Sequence, residues 1–208
     1  MIVVHHLERS RSQRILWLLE ELGVPYEVKG YKRDPQTQLG PPELKQVHPL
    51  GKAPVIEHDG QVIAESGAII EYILRRHGRG RLQPAPSSAS YDEYSFWIHY
   101  AEGSVMPALI MKIIAPRFGE AVAPSMPRFD SEVALHLNYI NTRLESRSYL
   151  LGDELTAADI QLGFVSEIVA ARLGLAGYPN IDAWGKRLQA RPAYKAAVAR
   201  GGAYSSAS

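Results

Sequence analysis

The chain contains no cysteine among its 208 residues. This absence excludes a disulfide framework, a thiolate metal site and a cysteine nucleophile within the chain. No apolar run approaches the ~20 residues that a membrane-spanning helix needs, and the stretch from Met1 to His6 is too short and too polar for a signal peptide. We therefore expect a cytoplasmic protein that does not bind a membrane.

The sequence also lacks a surplus of either charge. It has 23 Lys and Arg against 22 Asp and Glu, which gives a formal net charge of +1. Nucleic-acid binding needs clustered positive charge against phosphates, so this balance argues against nucleic acid as a partner. The seven histidines show no helix-spaced ligand motif, and His5 and His6 on a strand would point to opposite faces. The sequence therefore predicts no metal site.

Residues 1–79 predict a βαβαββα unit. A β-branched run from Ile2 to Val4 starts a strand, apolar residues at helical spacing follow, and Tyr26 to Val28 alternate as a second, parallel strand. Asp59-Gly60 between two short apolar alternations indicates an antiparallel hairpin. We expect Ser66 to cap the helix after that hairpin.

The rest of the chain predicts helices only. Residues 80–87 are rich in proline, glycine and serine and read as a linker, and residues 88–208 carry helical periodicity without a strand signal. Pro107 should bend or break the first of these helices because it lacks an N–H group. The final residues, from Gly201 to Ser208, read as a frayed tail, although Tyr204 could dock.

Thr156 and Asp159 have the spacing of a capping box at the start of an apolar helix. Helix capping explains both residues without a ligand. We therefore interpret them as determinants of the fold.

Two neighbouring segments predict a site for a small peptide. Gly51 to Val55 forms a proline-containing loop that feeds a strand, and Glu65-Ser66 opens a helix ten residues later. The loop offers backbone groups for strand-like hydrogen bonds, whereas the unpaired N–H groups of the helix start favour a carboxylate.

The order of several segments resembles the glutathione S-transferases. The segments are Ser10 to Arg14, Leu16 to Gly23, Pro49 to Val55, Glu65-Ser66, Tyr149 to Asp153, Thr156 to Asp159, and Tyr178 to Ile181 with Trp184. Tyr31 to Asp34, Pro41 to Lys45 and His48-Pro49 are similar to a microbial branch that has a serine rather than a tyrosine at the active site. The resemblance implies a thioredoxin-like domain followed by a helical bundle. It also implies a homodimer, and glutathione as co-substrate with no prosthetic group.

Glutathione carries two carboxylates and one ammonium, so its pocket needs an anion site, an acidic partner and backbone pairing. The resemblance assigns the γ-glutamyl carboxylate to Ser66, the ammonium to Glu65 and the glycine carboxylate to Lys52. It also implies that Ala53 pairs with the cysteinyl backbone and that the bond before Pro54 is cis.

Ser10 matches the catalytic serine of serine-type members. Its hydroxyl would donate to the thiolate of glutathione and lower a thiol pKa that is ordinarily ~8.5. From the residues alone, helix capping explains Ser10 and Ser12 as well, and the resemblance favours catalysis for Ser10 only. Arg11 either reaches the ligand carboxylates or lies in water, and Arg14 is expected to form a structural ion pair.

Four residues of the helical part are candidates for the pocket that holds the second substrate: Tyr100, Met106, Ile110 and Met111. Methionine and flat aromatic surfaces suit varied apolar ligands. Taken singly, each is explained as well by an ordinary bundle core.

The implied function is transfer of glutathione to a hydrophobic electrophile through the thiolate. A glutathione-dependent disulfide or peroxide reductase is the nearest alternative, and a noncatalytic ligand-binding or interaction module on the same fold is a second. A cis-trans isomerase is disfavoured, because that serine-type branch carries a cysteine in the motif that corresponds to Ser10-Arg11-Ser12.

Overall fold

The computed structural model describes residues 1–202 and falls into two compact units. The first unit contains Met1–Gln83 together with the chain from Leu188 onward, and the second is Pro84–Arg187. The predicted boundary differs here, since it placed all of residues 88–208 in the helical domain. The final helix joins the first unit because it packs on the first helix of that unit.

A four-stranded sheet is the framework of the first unit. Its strands are β1 (Ile2–Leu7), β2 (Tyr26–Tyr31), β3 (Val55–His58) and β4 (Gln61–Ala64), in the spatial order β2-β1-β3-β4. β1 and β2 are parallel, whereas β3 is antiparallel to β1 and to β4. At the β3–β4 turn, Asp59 and Gly60 both have positive φ, of 51° and 73°, as a type I′ hairpin requires. The predicted βαβαββα order is confirmed.

Three helices alternate with these strands: α1 (Gln13–Leu22), α2 (Leu44–Val47) and α3 (Ser66–Ile73), which continues as a π-helical turn over Leu74–Gly78. The apolar stripe of α1 is completely buried and forms much of the core of this unit. Gly23 ends α1 in the left-handed conformation, where its N–H group bonds to the carbonyls of Leu19 and Glu20.

The last described helix, α9 (Pro192–Gly201), packs along α1. The rings of Trp17 and Tyr194 meet edge to face with centroids 5.3 Å apart, and Arg191 donates to the Glu21 carboxylate at 2.9 Å. The prediction of a tail that frays from Gly201 is therefore wrong at its first residue, which still belongs to α9. The remaining tail from position 203, including Tyr204, lies outside the described residues.

Gly201 is a point of close contact between α9 and β1. Its carbonyl oxygen accepts a hydrogen bond from His6 Nε2 at 2.8 Å. A Cβ atom at this position would come within 2.6 Å of Leu16 Cδ1 and of Gln13 Oε1, and within 2.9 Å of the His6 ring. Only glycine fits between α9 and these side chains without displacing them.

The second unit is helical throughout, as predicted. Its helices are α4 (Tyr91–Tyr100), α5 (Met106–Ile114), α6 (Met126–Arg143), α7 (Ala157–Arg172) and α8 (Pro179–Ala190), which crosses the boundary between the units. A π-helical turn, Ala101–Val105, separates α4 from α5, and a 3₁₀ segment, Ala115–Ser125, precedes α6. Pro107 lies in the first turn of α5. The regular helix thus ends at Tyr100 and resumes at Met106, next to the proline, which confirms the predicted interruption.

The capping box of α7 is confirmed. The buried Asp159 carboxylate accepts hydrogen bonds from the backbone and hydroxyl of Thr156, at 2.9 and 3.0 Å, and from Leu150 N and Trp184 Nε1, at 2.9 and 3.1 Å. Burial raises the pKa of Asp159, and these donors oppose that rise. One side chain thus joins the start of α7 to α8 and to the preceding loop.

No helix within residues 1–202 is both long enough and apolar enough to cross a lipid bilayer.

Replacing Gly201 with alanine tests the close approach of α9. We expect Gly201→Ala to lower the free energy of unfolding by about 1–3 kcal/mol, because the new methyl group forces α9 away from Leu16, Gln13 and His6. Urea unfolding followed by circular dichroism measures this change. Gly30→Ala is the matched control, since a Cβ there meets nothing within 4 Å, and we expect it to stay within about 0.5 kcal/mol of the native value. Equal stability of the two variants would contradict the packing argument.

Candidate functional site

Strand register brings three segments, two loops and a helix start, to one end of the sheet. His5 of β1 pairs with Val55 of β3, and Val55 in turn pairs with Ala64 of β4. Because β3 is antiparallel to both neighbours, the chain that follows His5 and the chain that follows Ala64 both run beside the loop that precedes Val55. The loop containing Ser10, the loop before β3 and the start of α3 are therefore adjacent.

The loop before β3 presents backbone and charge. The bond between Ala53 and Pro54 is cis, as expected. Within the described chain, the backbone N–H and C=O groups of Ala53 take part in no backbone hydrogen bond. Lys52 is exposed and forms no ion pair with any residue from 1 to 202. The loop can therefore offer a strand-like edge and one ammonium group to a ligand.

The start of α3 presents an anion site beside a carboxylate. Glu65 precedes the helix with a φ of 69°, is exposed, and forms no ion pair in the part of the chain that the structure covers. The first backbone bond of the helix runs from Ile69 N to Glu65 O, so the N–H groups of Gly67 and Ala68 have no intrahelical acceptor. Such N–H groups, together with the helix dipole, favour a bound carboxylate.

Ser66 does not cap α3, contrary to the prediction. It is the first residue of the helix, only 3% exposed, and no side-chain capping bond is present at this terminus. Its hydroxyl instead accepts a hydrogen bond from Arg14 Nη1 at 3.2 Å. Arg14 is itself 2% exposed and reaches across from α1. Arg14, which we expected to form an ion pair, thus holds a predicted site residue in place.

The Ser10 hydroxyl lies at the end of a hydrogen-bonded chain. Ser10 is 7% exposed, and its Oγ lies 2.7 Å from Ser12 Oγ and accepts the Ser12 N–H group at 3.2 Å. Ser12 Oγ lies 2.9 Å from His6 Nδ1. Ser12 precedes α1 without a side-chain capping bond, so capping does not explain its hydroxyl. Arg11, between the two serines, is partly exposed.

His6 is a site residue that the sequence analysis missed. Burial lowers the pKa of His6, and the hydrogen bond to Gly201 and the charge of Glu8 offset this only in part. The ring is therefore neutral at pH 7. Its neighbour His5 faces the other side of the sheet, as predicted, where it contacts Tyr31 and Glu57. The sequence contains little signal beyond that strand alternation: of the two partners of His6, Ser12 lies six positions away and Gly201 lies 195 positions away.

The candidates for the second-substrate pocket differ in exposure. Met106 is 2% exposed, and this burial favours a role in the core. Tyr100 and Ile110 are partly exposed, and Met111 is 44% exposed. The Tyr100 hydroxyl lies 2.6 Å from His136 Nδ1, and burial, helped by Tyr139, raises the pKa of Tyr100. Three of the four side chains therefore keep surface for an apolar ligand.

A pocket of about 480 Å³ lies elsewhere in the first unit, around Met1, Leu22 and Arg79, and none of the predicted site residues lines it. Arginines supply much of its wall, and two of them have local partners. Arg81 donates to the Leu22 carbonyl, and Arg76 lies 3.4 Å from Asp59. These contacts offset the negative end of α1 and a nearby carboxylate, so they have a structural explanation.

Comparisons with known proteins agree with the geometry. The family model "Glutathione S-transferase, N-terminal domain" matches residues 1–75, and "Glutathione S-transferase, C-terminal domain" matches residues 103–192. Glutathione S-transferase 3 of Schizosaccharomyces pombe is 35% identical over 216 residues, which cover 95% of this chain and 87% of the relative.

Two solved structures are similar over nearly their whole length. A glutathione S-transferase from Actinobacillus pleuropneumoniae has a TM-score of 0.90 at 33% identity and covers 97% of this chain and 93% of its own. A glutathione transferase family member from Pseudomonas fluorescens, solved with two glutathione bound, has a TM-score of 0.79 at 25% identity, with 95% and 92% covered.

Because the pKa of His6 is lowered, the stability of the protein should depend on pH in the acid range. Because the unfolded histidine titrates near 6.5, the unfolded state binds more protons than the native state below about pH 6.5, so acid lowers the free energy of unfolding. We expect His6→Gln to lose less stability than the native protein between pH 7.5 and pH 5.5. Urea unfolding at both pH values measures the two losses, with pH 7.5 as the internal reference. Equal losses would show that His6 is not held neutral by burial.

Proposed function

The chain belongs to the glutathione S-transferase family of enzymes, and on that premise we propose that it ionises the thiol of glutathione beside Ser10 and transfers the thiolate to a hydrophobic electrophile. One observation carries the proposal. The buried hydroxyl of Ser10 lies at the same end of the sheet as the Ala53 backbone and the Lys52 ammonium, which have no partner among residues 1–202, and as the start of α3.

The binding half of the proposal rests on complementary groups. Lys52 would bind the glycine carboxylate, the start of α3 at Ser66 would bind the γ-glutamyl carboxylate, and Glu65 would bind the ammonium. Ala53 would pair its backbone with the cysteinyl unit. Lys52 and Glu65 have no ion-pair partner among residues 1–202, so neither must give up an internal contact to bind the ligand. Arg11 follows Ser10 directly in the sequence, and it would assist in binding a carboxylate of glutathione.

The chemical half rests on stabilising a charge on sulfur. A free thiol of pKa ~8.5 is only a few per cent ionised at pH 7. A hydroxyl donor and a nearby helix N-terminus both favour the thiolate. Ser10 acts as that donor, and the attacking atom belongs to glutathione. An electrophile bound beside the thiolate would react with much of the entropic barrier already removed.

The choice of electrophile separates this function from its nearest alternative. A disulfide or peroxide reductase would use the same thiolate against sulfur or oxygen. We propose conjugation because Tyr100, Ile110 and Met111 offer apolar surface of the kind that suits a hydrophobic second substrate. Faster turnover of a small disulfide than of an aromatic halide would favour the reductase.

We also propose that the active form is a homodimer in the cytoplasm. The second unit exposes large apolar side chains on α4 and α6: Phe96 is 43% exposed, Leu135 is 61% exposed, and Tyr139 is 48% exposed. Phe96 and Tyr139 contact each other edge to face, with ring centroids 6.1 Å apart. An exposed aromatic patch of this kind is typical of a protein interface.

Removing the Ser10 hydroxyl tests the chemical half. We expect Ser10→Ala to raise the pKa of bound glutathione by about one unit or more, because a donor to the thiolate is lost. Absorbance of the thiolate near ~240 nm, recorded against pH, measures this value. Glutathione affinity at low pH, where the thiol is protonated, is the control and should change little. An unchanged thiol pKa would remove Ser10 from the mechanism.

Removing the Lys52 ammonium tests the binding half. We expect Lys52→Ala to weaken glutathione binding roughly tenfold, which corresponds to about 1.4 kcal/mol, while the free energy of unfolding stays within about 0.5 kcal/mol of the native value. Calorimetry measures the affinity. Lys195→Ala on α9, an exposed lysine of the same unit, is the matched control. If both variants bind glutathione equally well, the assignment of Lys52 is wrong.

A further inference from the structure

A continuous hydrogen-bonded chain joins Ser10 to the backbone of α9. It runs from Ser10 Oγ to Ser12 Oγ at 2.7 Å and from Ser12 Oγ to His6 Nδ1 at 2.9 Å. It ends with His6 Nε2 at 2.8 Å from Gly201 O. All three side chains are less than 9% exposed, so water has little access to the chain.

The direction of these hydrogen bonds follows from counting hydrogens. A carbonyl oxygen can only accept, so His6 Nε2 must carry a hydrogen for Gly201. In the neutral ring Nδ1 then has none and acts as an acceptor. The single hydrogen of Ser12 is therefore used by His6 Nδ1, or by Leu7 O at 3.2 Å. The 2.7 Å contact between the two serines must contain the hydrogen of Ser10.

When His6 is neutral, the Ser10 hydroxyl consequently donates its hydrogen to Ser12 Oγ. The oxygen of Ser10 then presents a lone pair to an incoming ligand, which suits a thiol S–H group and does not suit a thiolate. When His6 is protonated, Nδ1 donates to Ser12, Ser12 donates to Ser10, and the Ser10 hydrogen becomes available to a thiolate. Protonation of His6 thus permits the reversed direction of the Ser10 hydroxyl, in which Ser12 donates to Ser10 rather than to Leu7 O.

We propose that Ser12 and His6 are positioning residues that carry the thiol proton of bound glutathione away from Ser10. The inference rests on the proposed function. In this step the S–H bond of glutathione breaks and its proton goes to Ser10 Oγ, the Ser10 proton goes to Ser12 Oγ, and the Ser12 proton goes to His6 Nδ1. The products are one thiolate and one imidazolium, and no other reactant is needed.

The surroundings of His6 suit this role. Burial lowers the pKa of His6 in the free protein, so the ring is neutral before glutathione binds, and the same burial opposes its protonation. Just after its own strand, Glu8 is a charged group whose field raises the pKa of the ring. Just before α1 it faces Ser12, and from α9 it faces the Gly201 carbonyl, beside which the neutral Gln13 of α1 also lies. The negative thiolate formed in the same step favours the imidazolium, which offsets the cost of burying its charge.

The position of α9 contributes to the proposed relay by fixing the tautomer of His6. Gly201 supplies the acceptor that holds the hydrogen on Nε2, and a side chain at 201 would collide with the His6 ring. This contact selects the tautomer in which Nδ1 faces Ser12 without a hydrogen. The close packing of α9 therefore sets the starting direction of the whole chain.

Counting protons in the native protein tests the relay directly. Saturating glutathione is added at pH 7.5, thiolate is measured by its ultraviolet absorbance, and released protons are measured with a pH indicator in weak buffer. If the proton stays on His6, thiolate forms with far less than one proton released to solvent. A nitrogen-15 spectrum of histidine should at the same time show His6 changing from neutral ring to imidazolium. Release of about one proton per thiolate would overturn the relay.

Variants provide a second readout. His6→Gln cannot accept the proton, so we expect less thiolate at pH 7.5 and about one proton released for each thiolate that forms. Ser12→Ala should behave like His6→Gln, and Ser12→Thr, which keeps the hydroxyl, should restore the native proton count. His5→Gln, on the same strand but the opposite face, is the matched control and should keep the native count.

The outcomes distinguish failure of the relay from failure of the proposed function on which it rests. Native protein that forms thiolate, releases a full proton and is unaffected by His6→Gln would refute the relay and leave the role of Ser10 intact. Native protein that forms no thiolate with glutathione would refute the proposed function itself. Because the first measurement uses unmodified protein, the test stands even if a variant fails to fold.

Discussion

The pairing of β1 with β3 is the constraint on which the site depends. One antiparallel register, His5 opposite Val55 and Val55 opposite Ala64, places the ends of three separate segments side by side. A shift of one residue would turn His5 and His6 to the wrong faces of the sheet and move the Ser10 loop away from Ala53. The rigid sheet thus supplies the precision, and the loops supply the chemistry.

Helix α1 links this site to the rest of the first unit. One of its faces is the apolar core, whereas its N-terminal end carries three buried polar residues: Ser12 just before the helix, and Gln13 and Arg14 in its first turn. Buried polar groups are costly unless they find partners. Arg14 finds Ser66, and Ser12 finds Ser10 and His6. The partners of Arg14 and Ser12 are residues that the proposed chemistry uses, whereas the buried amide of Gln13 has no hydrogen-bond partner among residues 1–202.

The order of the secondary structure was predictable because it rests on local patterns. The Asp59-Gly60 hairpin, the Gly23 helix end, the interruption at Pro107 and the capping box of Thr156 and Asp159 all depend on residues a few positions apart. Several long-range features were not predictable. The bond from Arg14 to Ser66 spans 52 positions, and the return of α9 to the first unit shows no local signal. The two glycines at 201 and 202 indicated a frayed end, whereas Gly201 is glycine because α9 approaches His6 closely.

Ser10, Lys52, Ala53, Glu65 and Ser66 were named from sequence order and family resemblance, which together determine the chemical types at the site and the elements that carry them. What the sequence could not decide is which of these groups are already engaged. Tertiary structure decides that Ser66 serves as an acceptor for Arg14 and not as a cap, and that Ser10 is one end of a chain through Ser12 to His6. The physical reason is that helix and turn signals act over a few residues, whereas the direction of a hydroxyl is set by whichever donors and acceptors the fold brings within about 3 Å.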